Sequence, residues 1–258
     1  MRKKFVAGNW KMNLDASAAI ALASGIRKNL SKSAASDKVD VAVCPPFVYL
    51  AEVARTLAGS NIALGAQDVY FESNGAFTGE ISVGMLKDRG CRYVIVGHSE
   101  RRHVIGETDE LINKKLRAVL DGGLEPILCI GELLEEREAG QTEGVIERHL
   151  RKGLANVRGV QMAKVTVAYE PVWAIGTGKT ATSGQAQQAQ DFCRRVLADM
   201  FGEKVAQAVR IQYGGSVKPS NAAELMNQPD VDGALVGGAS LKMEDFMGII
   251  EAGGDSAG

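Results

Sequence analysis

The sequence predicts an α/β protein in which all 258 residues form one (β/α)8 barrel domain, and three observations support this. Short, continuous apolar runs alternate with amphipathic stretches along the whole chain, as expected for parallel strands buried on both faces. Eight such units in about 250 residues fit a closed barrel. No linker divides the chain, because its 6 prolines and 30 glycines are scattered at predicted element ends. An open, doubly wound sheet is the alternative, since periodicity cannot show whether a sheet closes.

The apolar runs, taken in order, predict eight strands, because they are rich in β-branched and aromatic residues. They lie at residues 5–10, 39–44, 62–66, 93–96, 126–130, 165–169, 209–212 and 233–236. Between them, apolar residues recur at helical spacing. The predicted helices lie at residues 16–29, 48–58, 108–120, 143–154, 185–200 and 221–227. Asp15, Ser183 and Ser220 are predicted N-caps of three of them.

The charges are balanced, with 30 lysines and arginines against 31 aspartates and glutamates. Bulk charge therefore predicts no nucleic acid and no anionic membrane as a partner, although it is compatible with a local cationic site for a phosphate. The amino terminus has no apolar segment long enough for a signal peptide, and no stretch is long enough to span a bilayer.

The cysteines and histidines predict neither disulfides nor a metal site. The cysteines lie far apart without a CxxC motif, which indicates free, buried thiols in a reducing cytoplasm. They are Cys44, Cys91, Cys129 and Cys193. His98 and His103 are five residues apart without a partnering acid, and His149 lies in a charged helix, so their spacing is not that of metal ligands. We therefore expect no metal.

A barrel places its chemistry at the carboxyl ends of its strands, and this chain carries reactive residue types there. Lys11 follows the first strand, His98 the fourth and Glu170 the sixth. Glycine-rich turns follow the last two strands, at residues 214–216 and 237–240. Each feature alone is weak evidence, but their occurrence at one rim predicts an active site.

Glu170 is followed by a loop that is apolar at its start and glycine-rich at its tip. Pro171 keeps Glu170 out of the helical region, and Gly176 and Gly178 supply backbone freedom and bare N–H groups for an anion. We interpret this loop as a lid over a general base. An ordinary connection that packs Trp173 under a neighbouring helix is the alternative. The lid residues are Pro171, Val172, Trp173, Ala174, Ile175, Gly176, Thr177, Gly178, Lys179 and Thr180.

The two glycine-rich turns predict a phosphate site. Gly214, Gly215, Gly237 and Gly238 have no side chains that would keep an anion from the backbone N–H groups. The turns follow the last two strands, where barrels commonly bind phosphate. Lys11 is the cation whose strand context would hold it near such an anion. The alternatives are tight turns that need glycine for positive φ, and a solvated surface lysine.

His98 precedes residues that begin a helical turn, and a ring that faces a helix amino terminus resists protonation. We therefore expect a neutral donor to a carbonyl oxygen, with a purely structural histidine as the alternative. Glu170 is the candidate base, and loss of water under a closed lid would make its carboxylate more basic. With Lys11 and the phosphate turns, these residues predict proton abstraction next to a carbonyl in a small phosphorylated substrate.

In these motifs the chain resembles the triosephosphate isomerase family from end to end. The matching segments are GNWKMN at 8–13, TGEIS at 78–82, GHSERR at 97–102, CIGE at 129–132, AYEPVWAIGTG at 168–178, YGGSV at 213–217 and VGGA at 236–239. Leu14 departs from the family pattern, because many members have glycine there. The tail at residues 253–258 matches nothing and is predicted to be disordered.

The resemblance implies an isomerase of glycolysis and gluconeogenesis that interconverts dihydroxyacetone phosphate and D-glyceraldehyde 3-phosphate through an enediol, without a cofactor. It implies that Glu170 carries the proton, that His98 polarises the carbonyl and that Lys11 stabilises negative charge. Further implied roles are oxygen positioning by Asn9, support from behind the site by Glu100 and Cys129, and backbone binding of phosphate by Gly176, Ser216, Gly237 and Gly238.

Two other classes of phosphate-binding barrel are weighed against an isomerase. An epimerase or aldolase would need a second carboxylate with metal ligands, or a strand-borne Schiff-base lysine, and the sequence shows neither. A catalytically inactive barrel would be expected to lack Glu170, His98 or Lys11, and all three are present.

The long loop at residues 67–82 predicts a homodimer, because its apolar residues would form an exposed patch on a monomer. We expect the loop to dock into the neighbouring subunit of a two-fold dimer. Thr78 would then approach the partner's Asn9 and the partner's Lys11, and Glu80 would face the partner's Arg101. The loop residues expected to form this contact are Phe77, Thr78 and Glu80.

Overall fold

The chain folds as a closed barrel of eight parallel strands, which confirms the predicted fold class, and the computed structural model describes residues 2–175 and 181–256. The strands follow one another around the barrel in chain order, and the first closes it by pairing with the last. They are β1 (Lys4–Asn9), β2 (Val39–Cys44), β3 (Ile62–Ala66), β4 (Cys91–Val96), β5 (Glu125–Ile130), β6 (Thr166–Tyr169), β7 (Arg210–Tyr213) and β8 (Gly233–Val236).

The strand bounds follow the apolar runs to within two residues. The largest difference is at β4, which begins at Cys91 rather than at Tyr93. The exposed Arg92 interrupts the apolar run, but its backbone continues the strand and its side chain pairs with Glu125 of β5 at 2.9 Å. A charged side chain on the outer face of a strand therefore hid the true start of the strand.

Ten α-helices lie outside the barrel in the part of the chain that the structure describes. They are α1 (Ala16–Leu30), α2 (Leu50–Leu57), α3 (Val83–Asp88), α4 (Asp109–Asp121), α5 (Leu134–Glu138), α6 (Thr142–Gly153), α7 (Ser183–Phe201), α8 (Glu203–Ala208), α9 (Pro219–Met226) and α10 (Met243–Asp255). The six predicted helices are present to within two residues at each end. Three of the others, α3, α5 and α8, have only five or six residues, too few for a periodic signal.

The predicted disorder of residues 253–258 is wrong for Gly253, Gly254 and Asp255, which form the last turn of α10. Both glycines are buried, and a β-carbon on Gly254 would lie 2.9 Å from that of Ala35. The glycines are therefore present because the helix packs closely there, and not because the chain is disordered. Residues 257 and 258 lie outside the described residues.

One of the three predicted N-caps is confirmed. The Asp15 carboxylate accepts the Ala18 N–H at 2.8 Å and begins α1. The cap of α7 is Thr182 rather than Ser183, because the Thr182 hydroxyl accepts the Gln185 N–H. The prediction of Ser220 is also wrong, since Pro219 already occupies the first turn of α9.

The core has two layers, which follow from the alternation of side chains along each strand. In β1, Phe5 and Ala7 belong to an inner cluster that fills the barrel, whereas Val6 belongs to the cluster between the strands and the helices. The filled barrel leaves its carboxyl-terminal rim as the platform for a site. No helix within the described ranges is long and apolar enough to cross a membrane.

Candidate active site

The residues predicted from different strands meet at one cavity on the carboxyl-terminal rim. Its volume is about 580 Å³. The predicted residues that line it are Asn9, Lys11, His98, Glu170, Ile175, Ser216, Gly237 and Gly238. Gly176, the remaining predicted phosphate ligand, lies outside the described residues. The rim therefore brings together the acid–base groups, the cation and the glycine turns.

Glu170 lies at the carboxyl end of β6 with its carboxylate turned towards β4. Its Oε1 is 2.9 Å from Nε2 of His98, and its Oε2 accepts the Ser99 N–H at 3.0 Å. The residue is only 2 % exposed. Burial raises the pKa of Glu170, but the charge and hydrogen bond of His98 and the Ser99 N–H lower it by more, so the pKa lies below its ordinary value. The carboxylate has here exchanged water for strong donors, whereas the more basic carboxylate was expected under a closed lid, of which residues 176–180 lie outside the described residues.

The His98 ring lies between Glu170 and the first turn after β4. The Glu100 N–H donates to Nδ1 at 3.3 Å, which leaves the ring proton on Nε2, facing Glu170. Burial lowers the pKa of His98, but the Glu170 carboxylate raises it by more, so the pKa lies above its usual value. The backbone amide that was expected at His98 is therefore present, in the form of the Glu100 N–H. The Glu170 carboxylate favours the protonated His98 ring for as long as the two side chains stay in contact.

Lys11 reaches the cavity from an unusual backbone conformation. Its φ is +51°, in the left-handed region, and its N–H and C=O are held by the side chains of Asn9 and Gln67 at 3.0 and 2.8 Å. Its Nζ pairs with Glu100 Oε1 at 2.7 Å. These contacts hold the cation over the cavity rather than in bulk solvent, which argues against the surface-lysine alternative.

The two glycine turns need glycine for different reasons. A β-carbon on Gly214 would lie 2.7 Å from Cγ of Glu170, so this glycine makes room for the base. A β-carbon on Gly237 would lie 3.4 Å from Cε of Lys11, whereas one on Gly238 would meet nothing within 4 Å. The second turn therefore presents open backbone beside the cation. Neither Gly214 nor Gly238 has the positive φ that the turn alternative required.

The first half of the predicted lid is anchored to a buried carboxylate, Glu132. Residues Val172–Ala174 form a short 3-10 helix, and Trp173 Nε1 donates to Glu132 Oε1 at 2.9 Å. The Tyr169 hydroxyl donates to the same carboxylate at 3.1 Å. The Arg137 guanidinium lies 4.5 Å above the Trp173 ring. Trp173 is thus packed beside α5, as the alternative interpretation expected, and residues 176–180 lie outside the described part of the chain.

Cys129 and Glu100, the two residues expected to support the site from behind, differ in their burial. Cys129 is buried on β5, and burial, together with the nearby charge of Glu170, raises the pKa of its thiol well above the usual range. Its carbonyl oxygen accepts a hydrogen bond from Arg102 at 3.0 Å. Glu100 is exposed; its Oε1 pairs with Lys11 Nζ at 2.7 Å and its Oε2 lies 3.5 Å from His98 Nδ1, so it contacts the cation and the imidazole rather than Glu170.

Sequence reasoning assigned no role to three groups that the structure places around the site. Glu132 holds the lid start, Gln67 holds the Lys11 backbone, and the Ser99 amide holds Glu170. Glu132 had a signal, since a carboxylate directly after a buried strand needs partners. The other two contacts depend on how distant loops meet, which no local pattern shows.

In the loop at residues 67–82, Phe77 is 39 % exposed, whereas Val69 is buried. Met12, Val48 and Met85, which lie outside this loop, are also exposed large apolar side chains. Arg101, which was expected to face a partner's Glu80, is paired within its own chain with Asp68 at 2.9 Å and with Glu107.

Comparisons with known proteins agree with this geometry. A family model described as "Triosephosphate isomerase" matches residues 4–253. A protein of that name from Carboxydothermus hydrogenoformans is 56 % identical over 251 residues, which cover 97 % of this chain and 99 % of the relative. Others of that name, from Syntrophotalea carbinolica and Rhodopirellula baltica, are 56 % and 54 % identical and cover 97 % of this chain. The matched residues cover 98 % of each of these two relatives.

Proposed function

The chain belongs to the triosephosphate isomerase family, and on that premise we propose that Glu170, His98 and Lys11 carry out its reaction. The reaction is the glycolytic interconversion of dihydroxyacetone phosphate and D-glyceraldehyde 3-phosphate, and the chain is an isomerase. The observation that carries the residue roles is the 2.9 Å contact between Glu170 Oε1 and His98 Nε2 in a cavity that Lys11 also lines.

Glu170 is the base that moves a proton between two adjacent substrate carbons, the one that carries the carbonyl oxygen and the one that carries the hydroxyl group. It must leave the Ser99 N–H to do so, because in this structure both carboxylate oxygens are already bonded. A substrate that displaces the carboxylate from these donors removes the interactions that lower its pKa. The burial that remains then makes it a stronger base, as general base catalysis requires.

His98 polarises the carbonyl through its Nε2–H, while Nδ1 stays on the Glu100 amide. Removal of the Glu170 carboxylate from Nε2 takes away the largest contribution that raises the pKa of the ring. Burial and the amide donor then favour the neutral ring. A neutral imidazole can stabilise the enediol oxygen by donating a hydrogen bond to it.

The phosphate binds to the backbone N–H groups of Ser216, Gly237 and Gly238, with Gly176 from the lid and Lys11 as the neutralising cation. Asn9 supports this arrangement because its side chain orients the Lys11 backbone at 3.0 Å. The lid, residues 171–180, would keep water from the enediol, which can otherwise expel phosphate. Deletion of residues 175–179 is expected to leave a folded barrel that releases methylglyoxal and phosphate.

A Schiff-base aldolase is less compatible with the buried lysines that the structure describes. Lys4 Nζ donates to the carbonyls of Met226 and Val231, and Lys115 Nζ pairs with Asp68. Neither lysine lines the cavity. Both amines are thus held by hydrogen bonds or an ion pair away from the rim.

A coupled assay with each triose phosphate, with and without chelator, tests the proposed chemistry. We expect equal rates in both arms, and uptake of solvent deuterium at the carbon next to the carbonyl. Loss of activity with chelator, or covalent trapping of substrate by borohydride, would instead support an epimerase or an aldolase.

We also propose that the protein is a cytoplasmic homodimer in which the loop at residues 67–82 enters the partner's site. Support comes from the exposed apolar residues Met12, Phe77 and Met85 near that loop, and from four free, buried cysteines, which fit a reducing compartment. Ultracentrifugation at the assay concentration is expected to show a dimer, and a fully active monomer would contradict this.

A further inference from the structure

Three consecutive residues at the end of β5 support the backbone that carries Glu170. The carbonyl of Ile130 accepts the Glu170 N–H at 2.7 Å, and the carbonyl of Glu132 accepts the Val172 N–H at 3.1 Å. Gly131 lies between them with φ at +153°, and a β-carbon there would lie 1.7 Å from the carbonyl oxygen of Glu170. The Gly131 backbone is therefore in direct contact with the peptide of the base.

The amide of Gly131 is held from behind by a histidine outside the cavity. His149 lies on α6, is 3 % exposed, and accepts the Gly131 N–H on Nδ1 at 3.3 Å. It does not line the active-site cavity. The ring therefore acts on the site only through the backbone it holds.

The surroundings of His149 keep its ring neutral. Arg148 Nη2 lies 3.2 Å from Nε2, Asp109 Oδ1 lies 4.0 Å away, and Arg102 and His103 are also near. Burial lowers the pKa of His149 to about 2, and the neighbouring cations add to this effect. A neutral ring has one acceptor nitrogen. We assign it to the buried Gly131 amide, because the half-exposed Arg148 can bond to water and also lies near Glu136.

We propose that His149 is a positioning residue for the base, because its Nδ1 fixes the Gly131 amide and thereby the Glu170 peptide. The proposal rests on the role of Glu170 given above. Removal of the acceptor would leave a buried N–H without a partner, so the peptide of Gly131 would turn or admit water. Any such movement reaches Glu170 directly, since no side chain separates the two backbones.

The predicted consequence falls on kcat and not on substrate binding. Misplacement of a reacting group on the order of 1 Å can cost about a hundredfold in rate. The proposed phosphate site is formed by the turns after β7 and β8, and His149 does not line that cavity. The KM for triose phosphate and the inhibition constant of inorganic phosphate should therefore stay within about twofold.

The test compares two variants of similar size, His149→Leu and His149→Asn. Asparagine places an amide oxygen as many bonds from the backbone as Nδ1, whereas leucine offers no acceptor. We expect His149→Leu to lower kcat about tenfold or more, and His149→Asn to recover kcat to within about threefold of the parent. Asn113→Leu is the matched control, because it removes buried hydrogen bonds to Gly153 and Ala155 on the same side of the barrel without contact to the site.

Three outcomes would overturn the proposal. They are a folded His149→Leu protein with kcat within twofold of the parent, an equal loss of kcat in Asn113→Leu, and rapid deuterium exchange of the Gly131 amide in the parent protein. The exchange measurement needs no variant, so it decides the matter even if His149→Leu does not fold. Glu170→Gln is measured in the same series. A Glu170→Gln protein within about tenfold of the parent would show that the proposed base is wrong, whereas loss in that variant alone would reject only the role of His149.

Discussion

The two halves of the active-site rim are built on different principles. On one side, at the ends of β4 and β6, the His98 and Glu170 side chains are almost fully buried and every carboxylate oxygen has a donor. On the other side, after β7 and β8, Ser216 and Gly237 are partly exposed, Gly238 is exposed, and the groups offered are backbone amides. The first half holds side chains in place, whereas the second provides open backbone.

This difference follows from what each half must do. Proton transfer depends on sub-ångström placement of a side chain, so the base half needs many contacts that fix it. A phosphate carries its charge on several oxygens and can be bound by any array of amides with nothing in the way. Substitutions in the first half should therefore change kcat, and substitutions in the second should change KM.

The largest expected effect comes from Glu170 itself. Glu170→Asp withdraws the carboxylate by about 1 Å and should lower kcat roughly a hundredfold with KM nearly intact. Glu170→Gln keeps the reach but cannot accept a proton, so it should be worse. Steady-state kinetics in both directions, with circular dichroism as a control for folding, measure this. A Glu170→Gln protein within about tenfold of the parent would remove Glu170 as the base.

The buried half also predicts a dependence of stability on pH, through His149. The pKa of His149 is lowered to about 2 in the folded protein, so the unfolded chain binds more protons below its ordinary value of about 6.5. Folding stability on this account is complete above pH 6.5 and is lost as the pH falls below it. Between pH 7.5 and pH 5 the loss is about 2 kcal/mol.

The matched variant for this prediction is His149→Asn, which cannot be protonated in that range. Denaturant unfolding at fixed protein concentration should show that its free energy of unfolding falls about 2 kcal/mol less than that of the parent between the two pH values. Equal slopes in the two proteins would show that His149 is not buried as a neutral ring.

Two glycine substitutions compare a residue that contacts the base with one in the open half, because Gly214 follows β7 in the chain but lies against Glu170. Gly214→Ala would place a β-carbon 2.7 Å from Cγ of Glu170, so kcat should fall about tenfold while KM changes little. A β-carbon on Gly238 meets no protein atom within 4 Å, so Gly238→Ala should fold normally. The added methyl group would keep phosphate from the amide and raise KM severalfold at unchanged kcat. The reverse pattern of the two variants would show that the division is wrong.

The features that could be predicted from the sequence are those that local chemistry determines. Continuous apolar runs such as that of β8 predict buried strands, and a barrel then places Lys11, His98 and Glu170 at one rim without further information. The direction in which Glu170 turns could not be predicted, because it depends on the Ser99 amide from another strand. The same holds for His149, whose surface-like sequence context gave no sign that its ring supports β5 from behind.

The role of several glycines could not be predicted either, because a glycine can indicate either a flexible or ligand-binding backbone or a place where two segments pack closely. Gly253 and Gly254 were expected in a disordered tail, but they form a buried helix end in which Gly254 packs against Ala35. Gly214 was expected to offer its N–H to phosphate, but that N–H donates to the Tyr169 carbonyl at 2.7 Å, and the missing side chain makes room for the Glu170 carboxylate. In both cases the residue type was informative, but its neighbour was far away in the chain.

The smallest expected effect concerns Leu14, which lies three residues after Lys11 in the chain. Its φ of +74° lies in the left-handed region, which costs a residue with a β-carbon about 1 kcal/mol or more. Leu14 also packs against the core, so a comparison with the parent would mix strain with lost burial. Leu14→Gly and Leu14→Ala both lose the side chain, and only glycine relieves the strain. We therefore expect Leu14→Gly to be the more stable of the two by about 1 kcal/mol in denaturant unfolding, the reverse of the usual order for these residues in regular structure. A more stable Leu14→Ala would show that the backbone does not adopt this conformation in solution.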